Sequence, residues 1–259
     1  MKIGFIGFGS MGRAIAEGLI ARKVCAPEDI YACAGHFDKL QAAADQLGIH
    51  AERTAADVAA KSGIVVPAVL PAVVEEVLRP VVPILQSKLV VSIVSGWDFA
   101  RYEAFLAPGT HHISTIPNTP IAIGEGVLAC ETVHSLTADE YAQFSEVFGR
   151  IALIVPVEAR QFDAAGTLGG CTPAFAAMFL EALGDAGVKY GLSRAAAYRM
   201  AAQVLVGTGK LCLQSGLHPG ALKDGVCSPG GTTIRGVAEL EKHAFRGTVI
   251  SAIDAIEGR

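Results

Sequence analysis

A mainly parallel α/β domain followed by an all-α domain is what this sequence predicts, on three observations. The chain opens on an apolar strand, a glycine turn and a helical pattern, KIGFIGFGSMG at residues 2–12. Strand-like and helix-like stretches then alternate for some 155 residues, as in an open sheet with helices on its faces. From residue 158 the strand signals vanish and helical patterns rich in Ala and Gly take over. The expected division is therefore 1–157 for the sheet domain and 158–259 for the helical one.

Ile3, Phe5 and Ile6 supply the first strand, and Gly7, Gly9 and Gly12 follow in G-x-G-x-x-G spacing. Met11, Ala14, Ile15, Gly18 and Leu19 then give a helical stripe. Gly7 permits a tight turn, Gly9 lets backbone approach a diphosphate, and Gly12 lets helix and strand pack closely. The helix start offers unpaired N–H groups and a positive dipole end to anions. In this context the motif points to a Rossmann-type dinucleotide site rather than a plain strand–turn–helix. Ile6, Gly7, Phe8, Gly9, Ser10, Met11 and Gly12 are its candidate cofactor-binding residues.

Residues 29–34 (DIYACA) read as a second strand and 38–47 as a helix. A carboxylate at the end of this strand would hold the ribose 2′-hydroxyl of NAD. Here stand Ala34, Gly35 and His36, with Lys39 just beyond. No carboxylate repels a 2′-phosphate, and His36 or Lys39 could pair with one, so NADP(H) is favoured over NAD(H). The bland alternative makes His36 and Lys39 ordinary solvated residues.

Residues 62–69 (SGIVVPAV) read as a buried strand, with Pro67 hinting at a bulge or an early end. Residues 88–94 (KLVVSIV) form another, ending in Ser95 and Gly96. A helix is expected over 97–106, a strand over 111–116, and a rigid turn at Pro117-Asn118-Thr119-Pro120. Strands near 126–130 and 151–155 flank a helix at 137–148. Strand ends at Gly7–Gly12, Ala68–Pro71, Val94–Gly96 and Pro117–Thr119 should line one crevice.

The second half reads as helices over 160–190, 194–214, 218–224 and 232–257, with Pro173 placed to kink or break the first. Helices built of small residues suit an interface, so a homodimer or higher homo-oligomer through this half is expected. A compact monomeric bundle is the alternative. Cys227-Ser228-Pro229-Gly230-Gly231-Thr232-Thr233 leads into the pattern IRGVAELEKHAF. This glycine-bearing loop ahead of a helix start carries three hydroxyls and suits a carboxylate. The competing reading is helix capping by Thr232 or Thr233.

Composition sets limits. Apolar residues make up 51% of the 259, enough for a large core, and the net charge of −4 comes without a block of like charge. Nucleic acid is therefore not an expected partner. The longest apolar run, residues 64–74, is too short to span a bilayer and holds two prolines, so no membrane association is expected. The apolar start is too short for a signal peptide. The six cysteines are scattered without a C-x-x-C pair, which fits reduced thiols and a cytoplasmic protein. Adjacent His111 and His112 should face opposite sides of a strand, so no metal site is expected. The terminal IEGR matches a protease-tag recognition sequence and equally continues a helix. The chain shows no Ser-His-Asp spacing and no paired carboxylates in a glycine turn, so a nicotinamide cofactor is expected to carry the reaction.

Together these motifs resemble the pyrroline-5-carboxylate reductase family across nearly the whole chain. The resemblance rests on GFIGFGSMG, AVLP at 68–71 (AVKP in the family) and PNTP at 117–120. It rests further on GGCTPAF at 169–175 (usually GSGPAY) and HPGALKDGVCSPGGTTI at 218–234. It implies an NAD(P)H-dependent reductase of a cyclic imine carboxylic acid, 1-pyrroline-5-carboxylate to proline, with a helical C-terminal dimerisation domain. The active site would lie between the cofactor cleft and the SPGGTT loop, within one chain or with a second subunit's help. Val69, Leu70, Pro71, Val94, Ser95 and Gly96 would lie beside the nicotinamide half, and Ala34 and His36 at the adenosine end. Ser228, Gly230, Gly231, Thr232, Thr233 and Asn118 would bind substrate, with Thr233 as the catalytic hydroxyl near the ring nitrogen.

The sequence departs from the family pattern at several points. Leu70 replaces a lysine, Gly225 an asparagine, and Ala55 an asparagine ahead of the AVKP strand, while Gly169, Cys171, Thr172 and Phe175 alter GSGPAY. The departures are expected to cluster at the pocket. They leave open a different cyclic imine acid as substrate, or a non-catalytic NADPH-binding paralogue. A β-hydroxyacid dehydrogenase would need a lysine on the first long helix of the second domain, and residues 160–188 contain none.

Overall fold

The structure, a computed structural model, describes residues 1–258; Arg259, the last residue of IEGR, lies outside them. β1 (Ile3–Ile6), α1 (Ser10–Ala21), β2 (Ile30–Cys33), α2 (Phe37–Leu47), β3 (His50–Ala51), α3 (Ala55–Lys61) and β4 (Ile64–Pro67) alternate first. Then come α4 (Val74–Leu78), α5 (Val82–Leu85), β5 (Leu89–Ser92), α6 (Phe99–Phe105), β6 (His111–Pro117), β7 (Gly126–Glu131), α7 (Ala138–Phe148) and β8 (Ala152–Val157). They form an eight-stranded sheet in the order β3-β2-β1-β4-β5-β6-β7-β8. Only the β6–β7 pair is antiparallel.

β1, β2, β4 and β5 are buried along their whole length, because helices cover both faces of the sheet. On one face Ile3 and Phe5 meet Ile15 and Leu19 of α1 and Leu40 of α2. Each large side chain buried there contributes about 1.5–3 kcal/mol. On the other face Ile6 packs with Val58 of α3, Leu78 of α4 and Trp97. Gly4 admits that layer, since a Cβ there would run into Val58 and Ser62. α1 likewise lies on the turn after β6 through Gly18, which faces the Ile121 carbonyl.

The expected elements over 1–157 are present with ends shifted by a few residues, and Pro67 terminates β4 while staying in register with Ile6. Three further pieces carry weak signals. β3 is two residues long, α3 is seven, and prolines chop the stretch from 71 to 85 into α4, α5 and short 3-10 turns.

His111 Nδ1 pairs with Glu140 Oε1 of α7 at 2.8 Å, and His112 Nε2 with Glu103 Oε2 of α6 at 2.9 Å, so the two rings face opposite sides. His112 is buried, stacks on Phe99 with centroids 4.6 Å apart, and has no partner at Nδ1. Burial holds its pKa below the ordinary histidine value, against the opposing pull of Glu103 and with a further push from His111. The folded state thus binds this proton more weakly than the unfolded chain. The stability His112 lends as a neutral ring is present above its unfolded pKa of about 6.5 and is lost as pH falls below it. His112→Phe should shrink the drop in Tm between pH 7.5 and 5.5 by about 2 °C or more, read by thermal melts at both pH values. An unchanged drop would remove His112 as its source.

Past β8 come α8 (Phe162–Gly166), a π-helical turn (Thr167–Cys171) and α9 (Thr172–Lys189). α10 (Arg194–Ser215), α11 (Pro219–Gly225), α12 (Thr232–Lys242) and α13 (Phe245–Glu257) follow. The expected interruption at Pro173 takes the form of that π turn. Proline has no N–H to offer the carbonyl four residues back, Gly169, and the Asn118 amide donates to that carbonyl instead, at 3.0 Å. The pattern expected as one helix over 232–257 is two helices, because Ala244 is left-handed at φ 54°. Nothing in Lys242-His243-Ala244-Phe245 signals a break by propensity.

Compact units divide at Met1–Cys171 and Thr172–Arg259, later than the composition change at 157/158. Residues 158–171 stay with the sheet through Phe162, buried there, Gly166 against Ile116, and Gly169 held by Asn118. In the helical unit α9 and α10 meet where Gly184 accommodates the Tyr198 ring and Gly187 approaches Ala197. Few other side chains are buried. Met178 is 69%, Leu213 70% and Ile250 62% exposed in the single chain. No helix among the described residues is long and apolar enough to cross a membrane.

Candidate active site

β1 has β2 on one side and β4 on the other, so the chain winds outward both ways from the gap between β1 and β4. Open α/β sheets bind ligands there, beyond the carboxyl ends of the strands. A cleft of about 820 Å³ occupies this place. It is walled by Gly7–Met11 after β1, Ala34–His36 after β2, Ala68–Leu70 after β4 and Ile93–Ser95 after β5.

The three glycines have separate jobs. Gly7 sits at φ +97°, and a Cβ on it would lie 2.6 Å from the Ala68 carbonyl carbon. Gly9 is the extended N-cap of α1, and a Cβ on it would meet nothing within 4 Å. Gly12 brings α1 down on the turn, its Cβ position 3.1 Å from the Gly7 carbonyl oxygen. The first turn of α1 has no side-chain cap and no acidic residue, and no carboxylate lines the cleft. Open backbone, free N–H groups and missing negative charge fit a dinucleotide diphosphate.

Among the residues expected at the cofactor, Gly7, Phe8, Gly9, Ser10, Met11, Ala34, His36, Val69, Leu70, Val94 and Ser95 line the cleft. Ile6, Gly12, Pro71 and Gly96 are not part of the lining. Ile6 is buried in β1, and the Pro71 carbonyl accepts a hydrogen bond from Trp97 Nε1 at 3.3 Å. That bond ties the loop after β4 to the loop after β5, so Trp97 holds the wall carrying Leu70. Sequence reading passed over Trp97, whose signal was only being the sole tryptophan. It also passed over Arg53, which lines the cleft beside His36 and Lys39. Cys33 lines it too, but burial pushes its thiol up to about 11, so it is no nucleophile at neutral pH.

The turn at Pro117–Thr119 does not join the lining, contrary to expectation, because it continues into a 3-10 turn packed on α1. Asn118 is buried, and its Oδ1 accepts from Val127 N at 2.8 Å while Nδ2 donates to the Gly169 carbonyl. It braces β7 and the π turn. Of the departures from the family pattern, Ala55 and Leu70 line the cleft, and Leu70 is 74% exposed. Cys171 and Gly225 are exposed in the single chain.

In the helical unit, Ser228–Gly231 form a tight turn: Gly231 N donates to the Ser228 carbonyl at 3.0 Å, and Gly230 takes φ +67°. Gly231 is the N-cap of α12, with no side-chain cap hydrogen bond. The capping reading of Thr232 and Thr233 therefore does not hold. Both hydroxyls, and that of Ser228, are exposed and have no hydrogen-bond partner among the described residues. Three free hydroxyls adjoin the uncapped N–H groups of an eleven-residue helix, a donor set of the kind that suits a small anion.

Comparison with known proteins agrees with this geometry. Residues 159–259 match the family model described as pyrroline-5-carboxylate reductase dimerisation, and residues 2–96 match that for NADP oxidoreductase, coenzyme F420-dependent. A pyrroline-5-carboxylate reductase of Treponema pallidum is 44% identical over 98% of both chains. One from Escherichia coli is 38% identical over 97% of this chain and 94% of its own. A crystal structure of Plasmodium falciparum pyrroline carboxylate reductase with NADP bound superposes with TM-score 0.84 at 29% identity, covering 98% of this chain and 95% of that one. On motif, fold and relatives alike, this chain belongs to the pyrroline-5-carboxylate reductase family.

Proposed function

We propose that this protein reduces 1-pyrroline-5-carboxylate to proline with NADPH, as a step of proline biosynthesis. The observation that carries the reading is the acid-free glycine cleft at the switch point of the sheet, in a chain that matches a reductase of this name over 98% of its length. Gly7–Met11 would hold the diphosphate through backbone N–H groups, with Ile6 and Gly12 setting the turn. Ala34 and His36 would face the adenosine end, and Val69, Leu70, Pro71, Val94, Ser95 and Gly96 the nicotinamide end. Bound there, NADPH supplies the hydride.

The protein's own part is placement. Ser228, Gly230, Gly231 and Thr232 would take the substrate carboxylate, and Thr233 would offer its hydroxyl to the ring nitrogen. A protonated imine is already electrophilic at carbon, so the chain needs no strong general acid, and the cleft holds none. Correct positioning of the two reacting partners is then the main source of rate. Asn118 would act on substrate through the segment it braces.

Residues 1–157 would serve as the nucleotide-binding domain and 158–259 as the dimerisation and substrate domain, the family match from residue 159 supporting the latter. A homodimer through these helices would cover the apolar side chains the single chain leaves exposed. Six free cysteines support a cytoplasmic location.

Purified protein assayed with NADPH and NADH against five- and six-membered cyclic imine acids tests the substrate. Pyrroline-5-carboxylate with NADPH should give the highest kcat/KM. A preference for a six-membered imine acid would overturn the substrate, and nucleotide binding without turnover of any of them would favour a non-catalytic paralogue.

A further inference from the structure

β3 pairs with β2 for only two residues, and the ladder ends where Glu52 N donates to the Ala32 carbonyl at 2.7 Å. The next residue, Arg53, is thereby delivered to the tip of β2. Its guanidinium carbon lies 4.2 Å from the centroid of the Phe37 ring, and it lines the same end of the cleft as His36 and Lys39. Every other arginine of residues 1–171 donates a hydrogen bond to an oxygen. Arg53 has none among the described residues.

The nearby carboxylates do not compensate it. Glu52 is paired with Lys61 at 2.7 Å, and Asp57 takes the Thr54 hydroxyl at 2.6 Å. Asp38 borders a smaller hollow with Gly35–Lys39 and is not part of the cleft lining. A cation with five donors, oriented by a ring and left without an acceptor, is built to meet a doubly charged oxyanion edge-on. His36 and Lys39 also lack hydrogen-bond partners among the described residues, so two cations and an imidazole with open donors line this end of the cleft.

We propose that Arg53 is the specificity residue that recognises the 2′-phosphate of the dinucleotide, with His36 and Lys39 as its supports. This rests on the reading of the cleft as an NADPH site. It also fits the lack of a carboxylate at the end of β2: the reader of the ribose substituent comes from the edge strand beside it.

Calorimetric titration of the full-length protein with adenosine 2′,5′-bisphosphate and with adenosine 5′-monophosphate tests it, because the ligands differ only in the 2′-phosphate. The wild type should prefer the bisphosphate by about tenfold or more, as expected for charge-assisted hydrogen bonds to a phosphate. Arg53→Gln should erase most of that preference while changing monophosphate affinity less than about twofold, and Arg53→Lys should keep part of it. Inorganic phosphate should compete with the bisphosphate weakly in the wild type and not in Arg53→Gln. If Arg53→Gln leaves the preference intact, or weakens both ligands equally by losing a stack on adenine, the proposal is overturned and the NADPH reading survives. If the wild type itself shows no preference, the NADPH reading fails and takes the proposal with it.

Discussion

Gly9→Asp will remove nucleotide binding and leave the protein as stable as before, or slightly more so. Gly9 is the N-cap of α1, at φ −83° and ψ −164°, a conformation open to any residue. A Cβ there meets nothing within 4 Å, so the fold accommodates the new side chain. Aspartate is also among the best N-cap residues, worth a few tenths of a kcal/mol over glycine. Its negative charge would nevertheless stand where the diphosphate must come. Two like charges about 4 Å apart near a protein surface repel by about 4 kcal/mol, roughly a thousandfold in affinity. Gly7 is a poorer probe: its φ of +97° and the Ala68 backbone beside it would make any substitution unfold the turn. Calorimetry with NADPH and a thermal melt on the same sample read the two effects separately. Retained binding would reduce the motif to an ordinary strand–turn–helix, and a large fall in Tm would mean Gly9 is structural.

How much of this could be seen in the sequence follows from how far each signal is local. β1, Gly7-x-Gly9 and α1 are contiguous, so one stretch shows strand, turn and helix at once. The buried central strands announce themselves as apolar runs because both faces are covered. β3 does not, since two residues carry no periodicity, and its importance lies in delivering Arg53 to a strand twenty residues away in sequence. Trp97, and the bracing role of Asn118, escaped for the same reason. A Trp97–Pro71 bond or an Asn118–Gly169 bond joins segments whose proximity only the sheet order creates. The π turn before Pro173 is a middle case: the proline predicts an interruption, but which carbonyl is freed, and what takes it, depends on the turn after β6. The alternative capping role of Thr232 and Thr233 is not decided by residue type, because glycine and threonine are both acceptable N-caps and the loop geometry chooses Gly231.

That choice is what makes Thr233→Val decisive. Valine matches threonine in shape and β-branching, and the Thr233 hydroxyl has no partner among the described residues, so the helix loses nothing when it goes. Tm should move by less than about 1 °C. If the hydroxyl donates to the lone pair that hydride addition returns to the ring nitrogen, its loss removes a hydrogen bond made only as the iminium is neutralised, and kcat/KM should fall by about a hundredfold. The fall should sit mainly in kcat. Thr232→Val, altering the carboxylate cradle, should raise KM instead, since that contact is equally strong before and during the chemical step. Steady-state kinetics on both variants, at saturating NADPH, separates these roles. Equal, small losses in the two variants would return Thr233 to the surface of α12 and leave placement by backbone N–H groups as the whole of what this loop does.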